Sequence, residues 1–84
     1  MKKRMLRNRL LELIQQGERK INRRIKLKDL ASFVGVTNHT VTSWIRNDVR
    51  KYEAQIIEGF CDYFNCELSD LLYFEMVEVE EKLD

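Results

Sequence analysis

Asn38, His39, Thr42 and Ser43 are the residues of this 84-residue chain whose types and spacing could do specific chemistry. On a helix, positions 38, 39, 42 and 43 share one face. An amide, an imidazole and two hydroxyls on such a face can exchange hydrogen bonds with base-pair edges in a major groove. Arg46 follows on the same face and could reach a phosphate at its far end. The competing reading is an ordinary two-helix corner with a solvated outer face. Such a face usually carries Glu paired with Lys or Arg at i,i+4, and these are better helix formers than Asn, His, Thr or Ser.

The same residues assemble no reaction centre. His39 is the only histidine, and no Ser or Cys stands at a defensible spacing from it. There is no glycine-rich phosphate loop, and the adjacent acids Glu80 and Glu81 lie in an acidic terminal stretch rather than a pocket. The chain is therefore read as not an enzyme, with no cofactor implied. Cys61 and Cys66 are five apart across an expected helix end. They read as core thiols, because a reducing compartment disfavours a disulfide and a zinc site would need two further ligands.

The elements that must position the polar face are legible in LKDLASFVGVTNHTVTSWIRN, residues 27 to 47. Leu27, Leu30, Ala31 and Val34 form one helical stripe; Val41, Trp44 and Ile45 form a second after a short break. Two short helices are expected to meet near Ala31, where a bulkier side chain would hold their axes apart. Gly35 can take the positive φ that closes the first helix, and the Thr37 hydroxyl can cap the second, which should begin near Asn38.

On these residues the chain resembles the Cro-like phage-repressor helix-turn-helix family, also called the xenobiotic-response-element type. IIEGFCDYFNCELSDLL looks like that family's fourth helix, turn and fifth helix, so the resemblance covers about residues 6 to 74. Residues 25 to 47 also resemble the lactose-repressor family, which leaves the helices after residue 52 unexplained. The Cro-like resemblance implies an all-α, compact five-helix domain that docks its third helix in the major groove, commonly as a two-fold dimer. It departs from the family at Leu27, where the family often has Gln. A phosphate clamp at this point would fall to Lys26 or Lys28 as simple charges.

The remaining elements follow from periodicity. Leu6, Leu10, Leu13 and Ile14 predict a first helix over about Lys3 to Gln16, ending before Gly17. Glu18 to Lys26 reads as a long basic loop, carrying Arg19, Lys20, Arg23 and Arg24, that could lie along a DNA strand. Asn47 reads as a left-handed helix terminus, followed by a loop with Arg50, Lys51 and Tyr52; related proteins use this loop on the backbone or minor groove. Ile57, Phe60, Cys61 and Phe64 line the fourth helix, and Asn65 makes the turn before Leu68, Leu71 and Leu72. Phe60, Phe64 and Trp44 are expected in the core, since a base-stacking platform needs exposed rings. Residues 1–74 are thus taken as the domain. Residues 75–84 are taken as a short dimer-forming strand or an acidic tail, with charge density favouring the tail.

A net charge of +1 hides a gradient. Residues 1–28 hold eleven Lys or Arg against Glu12 and Glu18, whereas residues 52–84 hold ten carboxylates against Lys82. The basic end is available to phosphates and the acidic end is repelled by them. With no Pro, three Gly, no apolar run near the ~20 residues of a membrane span and no signal-like segment, the expectation is one helical, soluble, cytoplasmic domain.

The expected function is a sequence-specific regulator of double-stranded DNA, a repressor that binds its operator as a homodimer. Base contacts fall to Asn38, His39, Thr42 and Ser43, and phosphate contacts to Lys26, Lys28, Thr37, Arg46, Arg50 and Lys51. No metal, membrane or small-molecule effector is implied. The alternative is a protein-interaction module, such as an antitoxin or anti-regulator, whose acidic residues 67–84 would engage a basic partner.

Overall fold

The element order departs from the all-α expectation at both ends of the chain. In the computed structural model, which describes residues 1–80, β1 (Lys2–Asn8) is followed by α1 (Leu10–Ile21), α2 (Leu27–Val34), α3 (Asn38–Ile45), α4 (Ala54–Phe64), α5 (Leu68–Leu71) and β2 (Leu72–Glu78). The fold class is therefore helical with a two-stranded antiparallel sheet. Lys3 to Asn8, expected in the first helix, are strand; Leu72, expected on the last helical stripe, opens β2. Glu75 to Glu78, read as tail or dimer-forming strand, pair within the chain against Lys2 to Met5. The end of that segment, residues 81–84, lies outside the described residues.

The reason for the correction is long-range pairing. LYFEMVE is rich in aromatic and β-branched residues that favour a strand, and β1 supplies its hydrogen-bonding partner from some 70 residues away in sequence. Local periodicity could not register that partner. Leu6 and Leu10 stand four apart, yet Asn8 interrupts the helix between them. Its side-chain oxygen accepts from the Leu10 amide at 3.0 Å, so it starts α1 in the manner of a cap. At the other end α1 runs through Gly17 to Ile21, and Asn22 closes it at φ 55°. The basic loop is accordingly shorter than expected, covering residues 22–26.

The core lies where the five helices converge. Leu10, Ile14, Leu30, Ala31, Val34, Val41, Trp44, Phe60 and Leu71 are buried. Trp44 packs edge-on against Phe60 and Tyr52, with centroids 4.8 and 5.2 Å away. α2 and α4 approach so closely that a Cβ on Gly59 would stand 2.7 Å from Cγ1 of Val34. Among the described residues the ribbon is fastened to this body at its root. Arg9 donates its amide to the Leu71 carbonyl at 2.7 Å, and the Tyr52 hydroxyl donates to the Leu6 carbonyl at 3.3 Å. Beyond the root, Lys2 to Met5 are exposed, and the molecule measures 51 × 23 × 19 Å. No helix among the described residues is long and apolar enough to cross a membrane.

Candidate nucleic-acid interface

Gly35 ends α2 at φ 85°, and its amide and that of Val36 both donate to the Ala31 carbonyl, at 2.8 and 2.9 Å. This is the left-handed helix end that the sequence called for. Thr37 is extended, and its Oγ1 accepts from the Thr40 amide at 3.2 Å, so α3 starts at Asn38 with a capped first turn. Val41 and Trp44 pin α3 to the core, with exposures of 0% and 1%.

That anchoring turns the polar residues outward in two rows. Asn38, Thr42 and Arg46 follow at i, i+4 and i+8 along one row; His39 and Ser43 form the next. Asn38, His39 and Arg46 are exposed, while Thr42 and Ser43 are half-buried. The Thr42 and Ser43 hydroxyls donate to the carbonyls of Asn38 and His39, each at 3.0 Å. With those protons engaged, the two oxygens can only accept from an outside partner.

Most of the expected phosphate residues lie at the two ends of this helix pair. His39 and Ser43 border a groove of about 430 Å³ shared with Thr37, Arg50 and Lys51, so α3 and the loop after it form one surface. Thr40 and Asp48 also line it. Neither was anticipated, since the loop conformation that brings Asp48 there has no local sequence signature. At the other end, Lys26 and Lys28 are exposed at the start of α2, where no side chain caps the helix. First-turn amides and two ammonium groups together make a place suited to an anion. Arg23 and Arg24 are exposed beside it, and the loop is held by the Ile25 amide donating to Glu18 Oε2 at 2.9 Å.

Asn47 has a role beyond the turn expected of it. At φ 56° it ends α3, and its side-chain amide bonds both backbone groups of Asn8: Oδ1 accepts from the amide at 2.8 Å and Nδ2 donates to the carbonyl at 3.1 Å. Arg7 Nη1 donates to the Asn47 carbonyl at 3.2 Å. The end of the polar helix is thereby tied to the root of the ribbon. Asn8 sits at 4% exposure, and its Nδ2 has no hydrogen-bond partner among the described residues.

The two cysteines are free and away from this face. Burial pushes the Cys66 thiol up to about 11, helped by the adjacent Cys61 and by the Asp70 and Glu67 carboxylates. A thiol held protonated is a poor nucleophile and metal ligand. Among the described residues no group of three His, Cys, Asp or Glu could hold a metal ion.

Comparison with curated proteins finds no match to the chain. A family model does match, over residues 18–76, which takes in the whole of α2 to α5, the polar face of α3 and both flanking basic segments. The chain belongs to the family of the Cro/C1-type HTH DNA-binding domain.

Proposed function

We propose that the protein is a sequence-specific transcriptional regulator that inserts α3 into the major groove of an operator and acts as a repressor. The observation that carries this reading is the outward face of α3, short polar side chains on an anchored and capped helix, with basic residues at the two ends of the α2–α3 pair. Asn38 and His39 reach base edges as donors or acceptors. Thr42 and Ser43 accept from the exocyclic amino groups of adenine or cytosine. Thr37, Arg46, Arg50 and Lys51 meet phosphates on one side of the groove, and Lys26 and Lys28 on the other. As a repressor it acts by occupying the operator and excluding other proteins from it. Operators of two half-sites, read by a homodimer, supply the contacts that one helix lacks.

The test is selection of bound sites from random duplex DNA, followed by salt titration on the selected site. Enrichment of one two-fold motif, with affinity falling steeply as salt rises, is expected. Absence of enrichment, together with capture of a protein partner that is held through apolar surface and survives high salt, would replace this reading by the protein-interaction module.

A further inference from the structure

The β1–β2 ribbon has two unlike faces. The register sets Leu6 opposite Phe74 and Arg4 opposite Met76, so these four share one face, which Leu72 continues at the root. On the other face Arg7 and Glu75 close an ion pair at 2.8 Å. Among the described residues the first face has no such closure: Phe74 is 62% and Met76 59% exposed, with the Arg4 guanidinium 5.0 Å from the Phe74 ring centroid. Towards the root it opens into a groove of about 550 Å³ between ribbon and α5, whose lining includes Leu6, Leu72, Leu68 and Glu67. Leu68 is itself 56% exposed, so the apolar strip runs from α5 nearly to the ribbon tip. A two-stranded ribbon with one naked apolar face is marginal in water and gains from a further layer.

We infer that this face seats a second copy of the chain, the two ribbons lying antiparallel about a two-fold axis. Phe74 and Met76 of each pack on those of the other, and each tip enters the partner's root groove. Charge selects this occupant. At the tip, Glu78 engages the Met1 ammonium at 3.5 Å, and among the described residues the exposed Lys2, Lys3 and Arg4 outnumber the remaining Glu80. At the root, Glu67 lines the groove and Asp70 is exposed on α5, the short helix that Glu67 caps. The antiparallel two-fold sets each cationic tip on an anionic root, twice over. A DNA strand would meet Glu67 and Glu78 at the two ends of the strip, and a partner of single charge sign would be repelled at one end. The inference rests on the two-fold operator reading, yet its test needs no DNA.

Sedimentation equilibrium of the full chain without DNA should show reversible dimers. Met76→Lys should weaken association by roughly tenfold or more while leaving the helical circular dichroism of the parent. Arg4→Glu should also weaken it, and adding Ser69→Lys, which places a cation in the facing groove, should restore it; a merely structural role for Arg4 predicts no such rescue. A parent that stays monomeric at every concentration, a Met76→Lys protein as dimeric as the parent, or a double variant without recovery would each overturn the interface. Failure to select any operator would refute the DNA reading while these sedimentation results stood unaffected.

Discussion

Thr42 and Ser43 hold their hydroxyl protons on backbone carbonyls one turn back, whereas Asn38 and His39 keep their polar atoms in solvent. On the proposed operator this difference makes Asn38 and His39 the residues whose loss costs most. Asn38→Ala or His39→Ala should each weaken the preferred site by about 1–3 kcal/mol and relax choice at one base pair. Arg46→Ala and Arg50→Ala should instead weaken all duplexes alike and lower the salt slope by about one unit each. Competition between operator and random duplex, repeated across salt concentrations, separates the two behaviours. Cys66 offers a second check at this scale. Its folded pKa is raised from 9.0 to about 11, so the stability associated with the neutral thiol is present below pH 9 and is lost as pH rises towards 11. Denaturant unfolding from pH 8 to 11 should show this loss in the parent and a smaller one in Cys66→Ala. The polar residues of α3 were legible in the sequence because type and helical spacing alone mark them. The internal bonding that restricts two of them to accepting depends on rotamers, which the sequence does not display.

At the scale of elements, the turn and the helix crossings carry separate constraints. A Cβ at Gly35 would meet nothing within 4 Å, so the restriction there is the φ of +85° alone. Gly35→Val should cost about 1–3 kcal/mol through backbone strain, and Gly35→Asn distinctly less. Gly59 is the opposite case. Gly59→Ala gains up to ~1 kcal/mol of helix propensity, yet the Val34 contact should reverse the sign and leave a net loss of about 1–2 kcal/mol, similar to Ala31→Leu at the α2–α3 crossing. Thermal unfolding of the four variants distinguishes strain from crowding. Asn47 joins two elements that are remote in sequence. Asn47→Gly keeps the positive φ but removes both bonds to Asn8, so a loss of about 1–3 kcal/mol would measure the clamp itself. The left-handed turn at Asn47 was readable from its position after an apolar stripe. Its partner was not, because Asn8 lies 39 residues away with no local pattern linking them.

For the whole molecule, the helical body and the ribbon divide the proposed work. The body presents α3, and the ribbon, tied to the end of α3 through Asn47 and Asn8, carries the surface inferred to hold a second copy. The geometry of that connection should set the spacing of half-sites, expected about one helical turn or roughly 34 Å apart. Inserting half a turn of DNA between the half-sites should therefore reduce binding of the parent sharply and leave binding to an isolated half-site unchanged. Gel-shift titration on the two duplexes checks this; equal affinity for both would mean that each protomer binds independently. The opposed charges of the chain also acquire a place. Lys26, Lys28, Arg50 and Lys51 are exposed at the ends of the helix-turn-helix, and Glu67, which caps α5, and Asp70 on it lie at the ribbon root.

By itself the sequence determined the helix-turn-helix. Its stripes, Gly35 and the Thr37 cap act within a few residues of one another, and helical geometry makes such patterns unambiguous. It determined the outward polar face for the same reason. Only the tertiary structure decided the fate of the two ends. Lys2 to Asn8 can satisfy a helical stripe or a strand equally well, and the choice falls to strand because Leu72 to Glu78 offers a row of backbone groups that a helix could not pair. A strand's hydrogen bonds go to a neighbour rather than to itself, so its identity depends on a partner that can lie anywhere in the chain.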